Sequence, residues 1–186
     1  WLNTLLHKNV PTNTRDAVQA VVTKMEERSL RTDRSVISRF RRDNHLGPYL
    51  PPWKKLVANP ALYGGWKALL KMRIGAFMYA YRLSGFGALN PLYGQKCPCC
   101  SLAERETAWH LLWKCQRWVD YRVQHLGWVV GSQGITANPQ EEEFLGVLLG
   151  GGPYADVALR VKITAAVAAY LSCVIPVRVR VLGELA

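Results

Sequence analysis

Residues 97–115 read Cys97-Pro-Cys-Cys100-Ser-Leu-Ala-Glu-Arg-Glu-Thr-Ala-Trp-His110-Leu-Leu-Trp-Lys-Cys115, and they gather four of the chain's five cysteines and one of its four histidines. A two-residue gap between Cys97 and Cys100 lets one tight turn offer both sulfurs to a single ion, and zinc takes four such soft or borderline ligands in a tetrahedron. His110 and Cys115 supply the second pair. Five positions apart, they do not align on a regular α-helix, so Cys115 is expected near a relaxed turn or a slightly unwound segment. Cys99 is the awkward residue, able to replace a neighbour or to remain a spare thiol. The two-residue gap favours Cys97 and Cys100. Three thiolates and one imidazole leave no open position for water, which points to a structural Zn2+ site over a hydrolytic one. Two other readings are ordinary buried cysteines beside a core histidine, and a redox C-x-x-C, which lacks a surrounding strand-to-helix setting.

Outward from this cluster the pattern is helical. Upstream, residues 61–83 place Trp66, Leu69, Leu70, Arg73, Ile74, Phe77 and Tyr81 at helical spacing, and residues 84–95 read as a turn. Downstream, residues 107–130 read as a helix with Gly127 as its weak point, 131–140 as a polar linker, and 141–152 as a short apolar segment closed by three glycines. The last long helix is expected over 154–174, stopping at Pro176, with a β signal only at 177–182. Its uncharged run, 163–177, is about fifteen residues against the roughly twenty that cross a bilayer, so a buried helix and no membrane span is the expectation. Toward the N-terminus, Val18, Val21, Val22 and Met25 mark an amphipathic helix over 14–30 with Thr14 as its N-cap. A shorter helix after Asp33 would bury Val36, Ile37 and Phe40, and residues 44–60 form a loop. The expected fold is mainly α, a helical domain with an inserted CCHC zinc knuckle. It divides into a basic N-terminal helical region (1–60), a helix with the knuckle and its following helix (61–130), and a C-terminal helical segment (131–186).

The charge is local. Of a formal +11, residues 24–96 hold fourteen Lys and Arg against four Asp and Glu. Such a surplus favours anionic partners, nucleic acid first. The candidate contacts are Arg28, Arg31, Arg34, Arg39, Arg41, Arg42, Lys54, Lys55, Lys67, Lys71 and Arg73. Trp53, Tyr63, Trp66, Tyr79 and Tyr81 are interleaved with them and could stack on unpaired bases or serve as core. A solvated helical surface is the plain alternative.

The run from Cys97 through Glu106-Thr107-Ala-Trp-His110-Leu-Leu-Trp-Lys-Cys115-Gln-Arg-Trp118 resembles the zinc-binding segment that follows the polymerase domain in reverse transcriptases of non-long-terminal-repeat retrotransposons. The likeness is specific over about twenty-five residues. Weaker echoes at Leu69 to Leu83 and Ala168 to Leu182 extend it to roughly residues 66–182. It implies zinc ligation by Cys97, Cys100, His110 and Cys115, and nothing else. The departures bear on function: a polymerase needs paired aspartates for two metal ions, and Tyr154-Ala-Asp156 is followed by Val157 where the second would stand. Glu141 to Glu143 lack the placed partners of a nuclease centre. No G-x-S-x-G or phosphate-binding glycine loop occurs.

The chain is therefore expected to be no enzyme but a zinc-stabilised RNA-binding structural protein, retrotransposon-derived, and a subunit of a large ribonucleoprotein such as an organellar ribosome. Two alternatives stand beside it: a nucleic-acid-binding fragment of an active retrotransposon protein, contacting RNA or DNA, and a protein–protein interaction subunit of a large assembly. No small-molecule substrate is expected. Clustered free thiols favour a reducing intracellular compartment, mitochondrial for a recruited ribosomal subunit, nuclear or cytoplasmic for a retrotransposon fragment. A first residue Trp1 rather than Met is what a cleaved precursor or an excised fragment would present.

Overall fold

The structure, a computed structural model, describes residues 60–129, 141–151 and 157–185. The expected helices at 14–30 and after Asp33, most of the loop at 44–60, the linker at 131–140 and Tyr154-Ala-Asp156 lie outside the described residues. What is described is mainly helical, with no strand among the described residues. The elements are a 3₁₀ turn Pro60–Leu62, α1 (Tyr63–Arg73), α2 (Ala80–Gly85), a 3₁₀ turn Pro91–Gly94, a π-helical turn His110–Lys114, a 3₁₀ turn Gln116–Trp118, α3 (Val119–Leu126), α4 (Glu141–Leu148) and α5 (Val157–Gly183).

α5 is the central element, with α1, α3 and α4 packed against it. Its Ile163, Val167, Ala168, Tyr170, Leu171 and Val174 are fully buried and join Leu69 and Met72 of α1, Leu126 of α3 and Phe144 and Leu148 of α4 in one core. By length and composition alone, Ala158–Gly183, at a mean hydropathy of 1.7, is also apolar enough to cross a membrane. The α1–α5 crossing is close because Gly65 carries no side chain there: its N–H donates to Ser172 Oγ at 3.1 Å, and a Cβ would overlap the Ala168 carbonyl oxygen.

Three expectations about element ends are corrected. The helix expected over 61–83 is two helices, because Gly75 takes φ +70°, a left-handed conformation that a continuing helix does not accommodate. The last helix does not stop at Pro176, and residues 177–182 are helical, not extended. Proline deprives the Ser172 carbonyl of its helical N–H partner, at a cost of roughly 3 kcal/mol. The helix runs on because Arg178, one half-turn later, is anchored in the interior. The helix expected over 107–130 is broken at Cys115, whose ψ of 118° is not helical; the expected weak point at Gly127 is where α3 ends.

Candidate metal centre

Thr107 starts the segment that carries His110. Its hydroxyl accepts the His110 N–H at 3.1 Å and its carbonyl the Leu111 N–H at 2.9 Å, the pattern of a helix cap. On a regular α-helix His110 and Cys115 would diverge by about 140°. Here the Cys115 N–H instead reaches the His110 carbonyl at 2.7 Å, a five-residue closure that widens the turn. Such π turns place residues i and i+5 on the same side. Both side chains are fully buried.

The four predicted ligands converge. One ligand atom each from Cys97, Cys100, His110 and Cys115 lies within 4.8 Å of all the others. Zn–S bonds of about 2.3 Å and a Zn–N bond of about 2.0 Å would set the sulfurs about 3.8 Å apart and sulfur to nitrogen about 3.5 Å. Cys100 Sγ and His110 Nε2 stand 3.3 Å apart. The Cys99 N–H donates to Cys97 Sγ at 3.4 Å, so the cysteine turn itself supports the first sulfur. The donor set and its spacing thus fit a metal ion and are compatible with zinc.

Cys97, Cys99 and Glu106 also lie within 4.8 Å of one another. Glu106 is committed elsewhere. Arg178 Nε donates to its Oε1 at 2.7 Å, Arg178 Nη2 to Oε2 at 2.6 Å, and the Ala80 N–H to Oε2 at 2.6 Å. Cys99 is therefore a buried thiol beside the cluster.

The thiols share their protons unequally. Hydrogen bonds from Cys115 and Cys99 hold the Cys97 thiol far below the usual range, whereas bonding to Cys97, with burial, pushes Cys115 and Cys99 up. Burial pulls the His110 imidazolium down, but Cys97 and Glu104 outweigh it and the net shift is upward.

Two functional partners have no signature in sequence spacing. Glu104 Oε2 lies 3.4 Å from His110 Nδ1, on the ring edge opposite the sulfurs, and Glu104 Oε1 lies 3.7 Å from Lys114 Nζ. A carboxylate on the outer nitrogen fixes the orientation and tautomer of a metal-binding imidazole. Arg178 reads in sequence as a flanking charge, yet it joins α5 to the loop between the ligand pairs. The Glu-Thr pair ahead of His110 thereby gains roles, Glu106 holding Arg178 and Thr107 capping the ligand-bearing turn.

The basic candidates divide. Arg28, Arg31, Arg34, Arg39, Arg41, Arg42, Lys54 and Lys55 lie outside the described residues. Lys67 and Lys71 are exposed on α1. Arg73 is a correction: it is only 6% exposed and its Nη1 donates to the Leu149 carbonyl, because its position on α1 faces the turn after α4. Of the interleaved aromatics, Trp66 and Tyr79 are core, Tyr63 is exposed, and Tyr81 is half-buried under Arg105, whose guanidinium lies 5.1 Å from its ring centre. Trp109 and Trp118 are buried and Trp113 packs edge-on against Phe144 at 4.7 Å. Cys173 Sγ, the thiol outside the cluster, comes within 3.6 Å of His125 Nε2, two donors where a structural zinc uses four. Compared with known proteins, the chain matches no family profile, no curated protein and no solved structure.

Proposed function

We propose that the chain is a non-catalytic, zinc-stabilised RNA-binding structural protein, derived from the tail of a retrotransposon reverse transcriptase and built into a large ribonucleoprotein such as an organellar ribosome. The convergence of Cys97, Cys100, His110 and Cys115 carries the reading. Four protein donors complete a zinc shell, so the metal's task is to hold the cysteine turn to the turn after Thr107. Lewis-acid chemistry would need an open position, which this shell lacks.

The formal charge of +11 supports RNA as partner, with phosphate contacts from the exposed Lys67 and Lys71 and from the basic stretch before residue 60. The resemblance over residues 97–118 supports the ancestry. Burial of the apolar face of α5 and of Arg178 supports a core helix in place of a membrane span. Clustered free thiols suit a reducing compartment.

A second reading, a subunit that packs on protein neighbours, is favoured by Phe86, Val123 and Tyr63, which are 75%, 70% and 68% exposed. A salt titration separates the two. For phosphate contacts, log affinity for RNA falls linearly with log salt. Affinity indifferent to salt, or no RNA binding by the zinc-loaded chain, speaks against the RNA reading.

A further inference from the structure

Beside the candidate metal cluster, an open groove of about 470 Å³ runs between the cysteine turn, the 3₁₀ turn Gln116–Trp118 and the start of α3. That volume suits a small organic ligand. Ser101, Gln116, Arg117, Trp118, Tyr121 and Val177 line it, with no carboxylate among them. We propose that this groove takes one unpaired nucleobase of a single-stranded RNA, an inference that rests on the RNA-binding reading above.

Three observations select this occupant. Tyr121 is half-buried and tilted 44° to the buried Trp118 ring at 6.5 Å, so two aromatic rings meet in the wall. Base stacking on such a ring tolerates any sequence. Gln116 and Ser101, both exposed, meet at 3.3 Å along one rim and offer amide and hydroxyl groups able to pair with a base edge. Arg117 is the one cation among the described residues that line the groove. It is exposed, and its guanidinium lies 5.8 Å from the Trp118 ring centre, placed to meet the phosphate of the same nucleotide. An acidic peptide would call for several cations, whereas one cation beside an aromatic wall and an amide rim suits a neutral ring that carries one phosphate.

The test is fluorescence anisotropy on the zinc-loaded full chain with a labelled eight-nucleotide single-stranded RNA, a duplex of the same sequence and a hexaglutamate peptide. Gln116→Ala, Arg117→Ala and Tyr121→Ala are compared with wild type. Each variant is expected to weaken single-strand binding at least about five-fold, as loss of one stacked or paired base does, and to leave duplex binding within two-fold. Gln116 and Arg117 are exposed, so their variants keep the inference testable should Tyr121→Ala fail to fold. Wild-type single-strand affinity in Gln116→Ala and Arg117→Ala overturns the groove and leaves RNA binding standing. A wild-type chain that binds no RNA overturns both, and hexaglutamate binding lost in Arg117→Ala overturns the nucleobase in favour of an acidic peptide.

Discussion

Arg178 of the long C-terminal helix and Glu106 of the loop between the two ligand pairs form a two-pronged ion pair, at 2.7 and 2.6 Å, with side chains only 4% and 0% exposed. The same Arg178 Nη2 donates to the Met78 carbonyl at 2.9 Å, and the Ala80 N–H donates to Glu106. One pair thus ties α5, the α1–α2 connection and the loop between Cys100 and His110 together. The neighbouring carboxylate lifts the Arg178 guanidinium above its usual range even though burial pulls it down.

Removing one partner leaves a buried charge alone. Arg178→Met and Glu106→Gln are each expected to destabilise the chain by about 3–5 kcal/mol, read from urea melts. The double variant Arg178→Met/Glu106→Gln is expected to lose less than the sum of the two single changes. Additive losses would mean that the pair is not energetically coupled.

Gly65 and Gly64 are neighbours with opposite surroundings. A Cβ at Gly65 meets Ala168 and Ser172 of α5, and one at Gly64 meets nothing within 4 Å. Gly65→Ala should therefore destabilise by about 1–3 kcal/mol. Gly64→Ala should be neutral or stabilise by up to about 1 kcal/mol, since alanine is the better helix former. Thermal melts of the two variants check this, and equal shifts would contradict the close α1–α5 crossing.

The gathering of Cys97, Cys100, His110 and Cys115 was legible in the sequence because cysteine spacing and residue type are local signals. The means of bringing His110 and Cys115 together was only half legible. Helical periodicity assumes 3.6 residues per turn, and the π closure from the Cys115 N–H to the His110 carbonyl breaks that period. Arg73 was misread, and Arg178 did not stand out in the sequence, for one common reason. A basic side chain in sequence looks solvated, and only the fold reveals the Leu149 carbonyl or Glu106 that takes it inside. Pro176 misled likewise, since tertiary anchoring overrides a local helix breaker.

Glu104 is 46% exposed, so its effect on packing is small, while its carboxylate faces His110 Nδ1. Glu104→Gln is expected to weaken zinc binding about 10- to 100-fold, measured by competition with a chromogenic chelator. The urea midpoint of the metal-free chain should stay unchanged. An unaltered zinc affinity would remove Glu104 from the site.

Cys97, Cys100, His110 and Cys115 are expected to hold one zinc ion, and Cys99 none. Elemental analysis of chains purified without added metal tests it most directly, with wild type set beside Cys115→Ser and Cys99→Ser. About one zinc per chain is expected in wild type and Cys99→Ser, with a several-fold loss in Cys115→Ser. Equal zinc in wild type and Cys115→Ser, or none in wild type, would contradict it.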